Sequence, residues 1–217
     1  MNIEKLMHAR KLVDFIEGEI NLKLIPSNFC PYNNHIPALF TDVILQAGLN
    51  YKHIVYPRVL SVYKNYPKTD SVKKFCALIE KVGLEKIIHW KNEVKLNRLK
   101  NLLSFCLINN IDTAEELKLF LVKAENKGKF LAIDGIGLKT YDYLLKLMNV
   151  DTIAVDRHIF SFLEKAGIKT NDYNYSKNVV EFAADMMNIS RRSIDYSIWT
   201  YMAYELKNTK IQTSLNF

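Results

Sequence analysis

Every proline in the chain, Pro26, Pro31, Pro37, Pro57 and Pro67, falls within the first 67 residues. Proline removes a backbone donor and clashes with the preceding helical turn, so it punctuates helices. The early region is therefore expected to be looped, and the rest of the chain has few breakers. Apolar residues recur there at helical spacing, and the expected fold class is all-α.

An N-terminal helix is expected over 3–19, followed by a Pro/Asn-rich loop to His35. Residues 36–46, IPALFTDVILQ, read as a buried helix with Pro37 in its first turn. Thr69-Asp70 precede Val72, Phe75, Cys76, Ile79 and Val82 at helical spacing, and Gly83 stops that run. Residues 95–109 place Leu99, Leu102, Leu103, Cys106 and Leu107 on one side. Thr113-Ala-Glu-Glu116 is a capping-box sequence, with Leu117, Phe120, Leu121 and Ala124 continuing its face. Further helices are expected near 176–187 and 191–207, with a frayed tail over 209–217. No repeat or low-complexity block is present.

Thirty Lys+Arg against 23 Asp+Glu give a net charge of +7, which favours polyanionic partners at low salt. No segment is long and apolar enough to span a membrane. The N-terminus mixes charges and lacks an apolar signal core, so an intracellular protein is expected, cytoplasmic and nucleoid-associated or nuclear. Cys30, Cys76 and Cys106 are far apart and show no Cys-x-x-Cys spacing, which predicts reduced thiols, the latter two on apolar helical faces.

Residues 130–160 carry the chemistry. Asp134-Gly-Ile-Gly-Leu-Lys-Thr lies between an apolar run (Phe130, Leu131, Ile133) and a helical pattern (Tyr141, Leu144, Leu145, Met148). Gly135 and Gly137 let the backbone turn sharply and let another backbone come close. The helix start beyond them presents unsatisfied N–H groups, a natural seat for a phosphate oxygen, with Lys139 in its first turn. A helix from 139 to 148 rises roughly 13 Å. Residues 149–151 read as a turn, and four extended steps from Thr152 to Asp156 retrace about the same 13 Å. An amine and a carboxylate are thus expected to converge beside a phosphate-binding turn.

This unit resembles the helix-hairpin-helix-GPD superfamily of DNA glycosylases, which includes endonuclease III and the 8-oxoguanine glycosylases. Its L-P-G-V-G-x-K-T-A hairpin corresponds to Ile133-Asp-Gly-Ile-Gly-Leu-Lys-Thr-Tyr141, and its V-D-x-H segment to Val155-Asp-Arg-His158. Asp134 stands in place of the usual proline and Tyr141 in place of the usual alanine. The interval from Lys139 to Asp156, 156 − 139 = 17, is one residue shorter than the pattern.

The resemblance implies a base-excision repair glycosylase with abasic-site lyase activity. Two helical subdomains would flank a cleft: a bundle over 37–150, and a second subdomain joining 1–36 to 151–217. Lys139 would attack the sugar C1′ and form a Schiff base; a lysine is nucleophilic only as the neutral amine, so Asp156 would take its proton and stabilise the cationic sugar. Gly135, Gly137 and Thr140 of the hairpin, with His158, would contact DNA, and Gln46 and Asn50 are candidates to fill the gap left by the extruded base. An oxidised purine such as 8-oxoguanine is the favoured lesion. The partner would be damaged double-stranded DNA, with no membrane and the chain acting as a monomer.

No cofactor is expected beyond a monovalent cation on hairpin carbonyls. Three cysteines cannot supply the four-cysteine iron–sulfur site of the endonuclease III branch, so no such cluster is expected. Three alternatives stay open. Asp156 serves as a helix N-cap alone or as a cap that also reacts. The enzyme is bifunctional, or monofunctional with Asp156 activating water. Otherwise the chain is a non-catalytic DNA-binding module. Likewise His158 is structural or contacts DNA, and Gly48 reads equally well as the residue ending the early helix.

Overall fold

Helix starts in this chain are fixed mainly by side chains that satisfy the orphan amides of the first turn. In the computed structural model, which describes residues 3–26, 32 and 34–214, His35, Ser71, Asn92, Thr113, Asp156 and Asp172 each accept a hydrogen bond from a backbone N–H two or three residues ahead. Thr113 and Glu116 form the full capping box. Each such cap contributes about 0.5–2 kcal/mol. Among the described residues there are helices and loops but no strand. Cys30 lies outside the described residues, and none of the described helices is long and apolar enough to cross a membrane.

The chain divides into two compact units, Met1–Phe29 with Asp151–Phe217, and Cys30–Val150. The first contains α1 (Ile3–Asp14), which continues into a π-helical turn at Phe15–Glu19, then α10 (Arg157–Lys165), α11 (Tyr173–Met186) and α12 (Arg191–Ser214). Helix α1 packs along α11, and α12 rests on α10 and α11. Leu12, Ile16, Phe162, Val180, Ala183 and Ile198 form its core, with Phe162 edge-on to Phe15 and Tyr201.

The second unit holds α2 (Ile36–Leu45), a π-helical turn at Tyr51–Val55, α3 (Tyr56–Asn65), α4 (Val72–Val82), α5 (Leu84–Ile88), α6 (Glu93–Ile108), α7 (Ala114–Leu121), α8 (Ala124–Leu131) and α9 (Leu138–Leu147). All ten residues of α2 are buried, and this helix touches α3, α4, α6 and α9. Phe40, Phe75, Leu99 and Phe130 fill the core, with Phe105 edge-on to both Phe120 and Phe130.

Four features differ from the sequence expectation. The early boundary falls at 29/30 rather than 36/37, because Tyr32 and His35 pack on α2. The cap of α4 is Ser71, while Asp70 instead pairs with Lys74 at 2.7 Å. Helix α7 ends at Leu121, and Ala124 opens α8 on an exposed position instead of continuing the α7 face. The backbone of α12 stays helical from 209 to Ser214, a stretch without glycine or proline.

Candidate active site

The hairpin is built from α8, a tight turn and α9. The N–H of Ile136 donates to the Ile133 carbonyl at 3.0 Å, closing a four-residue turn with Asp134 and Gly135 at its centre. Gly135 takes φ +74°, the value a type II turn requires at its third position. A second constraint also holds residue 135 to glycine: Arg98 of α6 fills the space a Cβ would need, its Nε 1.9 Å from that point. Gly137 does not share this left-handed conformation. It is extended, at φ −111° and ψ −178°, and a Cβ there would meet open space. Ile136 is buried between them and anchors the turn in the core.

Gly137 is the N-cap of α9, and glycine has no side chain to offer the first amides. Lys139 is half-buried in that first turn, whereas Thr140 is buried with its side chain in the protein interior. The two departures from the family pattern are accommodated differently. Asp134 is exposed on the turn. Tyr141 is buried, stacks at a tilt on Phe130, and donates its hydroxyl to the Leu121 carbonyl at the end of α7 at 2.7 Å.

In the other unit, Asp156 is half-buried and caps α10. Its Oδ1 accepts from the amides of His158 at 2.8 Å and Ile159 at 3.3 Å, which fixes the direction of the carboxylate. The extended segment before it is pinned to α12. Asp151 accepts from the Arg192 amide at 3.0 Å, and the Ala154 amide donates to Asp195 at 2.9 Å. His158 is buried edge-on to Trp199, which itself stacks on Tyr196. That burial gives His158 a packing role and limits its use as an open DNA contact.

The structure brings Gly135, Gly137, Lys139 and Thr140 together in one hairpin, and Asp156 and His158 together at one helix start. Gln46 and Asn50 lie after α2. The Gln46 amide nitrogen is enclosed, without a hydrogen-bond partner among the described residues. Asn50 accepts from the His53 amide at 3.0 Å and so caps the following turn. Gly48, at φ +76°, turns the chain beyond the helix.

Sequence reasoning missed two features of this unit. One is Asp42, a fully buried carboxylate on α2 that accepts hydrogen bonds from the hydroxyls of Tyr32, Tyr51 (2.9 Å) and Tyr143 (2.9 Å). Burial pushes its carboxyl above the ordinary aspartate range, while the three phenols pull it back. The same burial raises all three phenols. A buried carboxylate needs such partners, and without them desolvation costs several kcal/mol. Tyr143 lies one turn beyond Lys139, so this network clamps the Lys139 helix to α2.

The other is a basic line on α6. Lys95 Nζ donates to the carbonyls of Ile44 (2.9 Å) and Ala47 (2.8 Å), capping the end of α2. Burial, and then the neighbouring Arg98, lower its pKa to about 8. Arg98, one turn on, packs across Gly135. Nothing in the sequence spacing of Lys95 and Arg98 tells that they reach the end of α2 and the hairpin. Of the thiols, Cys106 is buried, with its pKa pushed up to about 12, and Cys76 is half-buried and also raised by burial.

The chain is 29% identical over 119 residues to endonuclease III of Buchnera aphidicola subsp. Schizaphis graminum (strain Sg). That match covers 51% of this chain and 49% of the relative, so the chain matches about half the relative's length. The crystal structure of the H. pylori 3-methyladenine DNA glycosylase MagIII, bound to 1,N6-ethenoadenine, matches over 94% of this chain and 98% of its own, with a TM-score of 0.55 at 18% identity. The likeness is one of fold: the chain shares the all-helical fold of that structure. A family model described as "Domain of unknown function (DUF8548)" matches residues 21–203, and the chain belongs to that family.

Proposed function

We propose that the protein is a base-excision DNA glycosylase that also cleaves abasic sites through a lysine Schiff base. The observation that carries the reading is the hairpin: a glycine-capped start of α9, open at Gly137, with Lys139 in its first turn. Such a start offers backbone amides and partial positive charge to a phosphate without a competing side chain. The fold it sits in, shared with a glycosylase, supports the same reading.

In this reading the damaged nucleotide is flipped out at a cost of a few kcal/mol. The neutral Lys139 amine forms a bond to C1′ as the glycosidic C1′–N bond breaks, and the base leaves with that electron pair. Asp156 accepts the proton released from the amine, and its carboxylate offsets positive charge on the sugar. The sugar ring then opens as the C1′–O4′ bond breaks and O4′ takes up a proton, which gives the imine, and loss of a C2′ proton with elimination of the 3′ phosphate nicks the strand.

Borohydride reduces that imine to a stable amine, so damaged duplex should become covalently trapped on the wild-type protein and not on Lys139→Gln. An adduct of equal yield on Lys139→Gln removes the assignment. A lesion panel orders the substrates. It contains 8-oxoguanine, our first expectation, with 3-methyladenine and 1,N6-ethenoadenine, the bases named for the H. pylori enzyme.

A second reading is favoured by the Asp156 geometry. A carboxylate oriented by two amides suits activation of water, with Lys139 contacting phosphate only. Base release without strand cleavage or trapping on the wild-type protein selects that reading.

A further inference from the structure

A groove of about 730 Å³ lies among the residues that join α5 to α6 and the start of α3. Its lining includes the cations Arg58, Lys86 and Lys91, one carboxylate, Glu85, and the rings of His89 and Trp90. The base of the groove is held rigidly. The Arg58 guanidinium lies 5.2 Å over the Trp90 ring, its Nε donates to the His89 carbonyl at 3.0 Å, and its Nη1 donates to the Ile54 carbonyl at 2.7 Å. His89 itself is left-handed, at φ +50°, a conformation that costs a non-glycine residue about 1 kcal/mol or more and marks a locally constrained turn. Lys86 and Lys91, by contrast, are exposed on the rim.

The groove is continuous with the hairpin through α6. Asn92 is both part of the groove lining and the N-cap of α6. Along the same helix come Lys95 and then Arg98, which packs against Gly135. Six residues of helix from Asn92 to Arg98 rise about 9 Å. A DNA strand carries one phosphate per roughly 3.4 Å of duplex axis, so this distance spans about two to three nucleotides.

We infer that the groove is a second phosphate-binding site, which holds the backbone of DNA flanking the nucleotide engaged at the hairpin. The inference rests on the DNA reading above. Regularly spaced phosphates are the ligand that would engage both the excess of cations in the groove and the open start of α9 at the hairpin, which α6 connects. An acidic peptide would match the groove's charge but gains nothing from the hairpin.

The test is fluorescence anisotropy of the full chain with a duplex carrying a central abasic-site analogue, titrated over a range of salt. Lys86→Glu/Lys91→Glu changes two exposed side chains and leaves Arg58 and Trp90 in place. It should weaken binding about tenfold or more and lower the slope of log K against log salt by about 1.8, at about 0.9 per lost phosphate contact. Lys68→Glu/Lys81→Glu, with the same change in net charge on exposed positions of the same unit, should leave the slope near wild type. If wild type binds the duplex and Gly137→Asp weakens it, but the groove variant matches the Lys68/Lys81 control, the groove site is overturned and the DNA reading stands. If wild type binds no duplex, both fail. Capture of a poly-glutamate peptide by the groove in preference to DNA likewise overturns the inference.

Discussion

Helices α9 and α10 follow one another in sequence and begin in opposite ways. At α10 the protein fills its own helix start: Asp156 accepts two amides through one oxygen. At α9 the cap position is Gly137, which offers nothing and leaves room for an approaching group. The difference follows from what each end is used for. A carboxylate that caps is held in a single direction, whereas a start capped by glycine keeps its positive end available to an external anion. Six of the described α-helix starts carry side-chain caps, whereas the start of the Lys139 helix, like that of α5 at Gly83, is left to glycine.

Asp156→Asn presses hardest on this contrast. Asparagine caps a helix about as well as aspartate, so the melting temperature should hold within a degree or two. Base release should fall about 100-fold or more, because the amide neither accepts a proton nor offsets charge on the sugar. Single-turnover kinetics beside thermal melts separate the two roles. Unchanged base release with an unchanged melting temperature would leave Asp156 as a cap alone.

Gly137→Asp converts the α9 start into a copy of the α10 start. The residue is already extended and its Cβ meets open space, so the change should stabilise the fold by about 0.5–1 kcal/mol, a few tenths from the cap and the rest from reduced backbone freedom in the unfolded chain. The same carboxylate would occupy and repel the phosphate position, and affinity for abasic duplex should drop about tenfold or more. Urea unfolding and anisotropy must move in opposite directions. If stability and affinity rise together, the open start of α9 has no anion to receive.

Much of this contrast was legible in the sequence, because it depends on local chemistry. Glycine pairs, a lysine in a first helical turn and an aspartate ahead of an apolar helix are readable from neighbours a few residues away. The buried character of residues 36–46 was equally plain. What lay inside that helix was not: Asp42 is one acid in an apolar run, and its three phenol partners come from a loop, a π-helical turn and α9. Such long-range pairing leaves no periodic trace. Arg98 at Gly135 is hidden for the same reason, since the turn alone explains the glycine. His158 was left open between a structural role and a DNA contact, and its packing on Trp199 is another long-range pairing that its neighbours in sequence do not announce.

Helix ends obey the same division as helix starts, and Lys95 tests it with the smallest effect. Here the protein fills the end of α2 with a borrowed amine, bonded to the Ile44 and Ala47 carbonyls. Burial, and then the charge of Arg98, disfavour the ammonium form, and the folded pKa is about 8 against about 10.4 for a lysine in an unfolded chain. Between these values the unfolded state binds more protons, so stability must rise with pH across that window. Below pH 8 the lysine is charged in both states and the cost of burying the charge is fully present. The neutral amine retains two N–H groups, enough for both carbonyls, so deprotonation relieves the charge without breaking the cap. Urea unfolding of wild type and Lys95→Met between pH 7.5 and 10.5 isolates this contribution, because the raised tyrosines titrate alike in both. The wild type should gain on the variant as pH rises. A constant difference would mean that Lys95 enters the fold with its charge at no cost, and that its part at this helix end is electrostatic rather than a hydrogen-bonded cap.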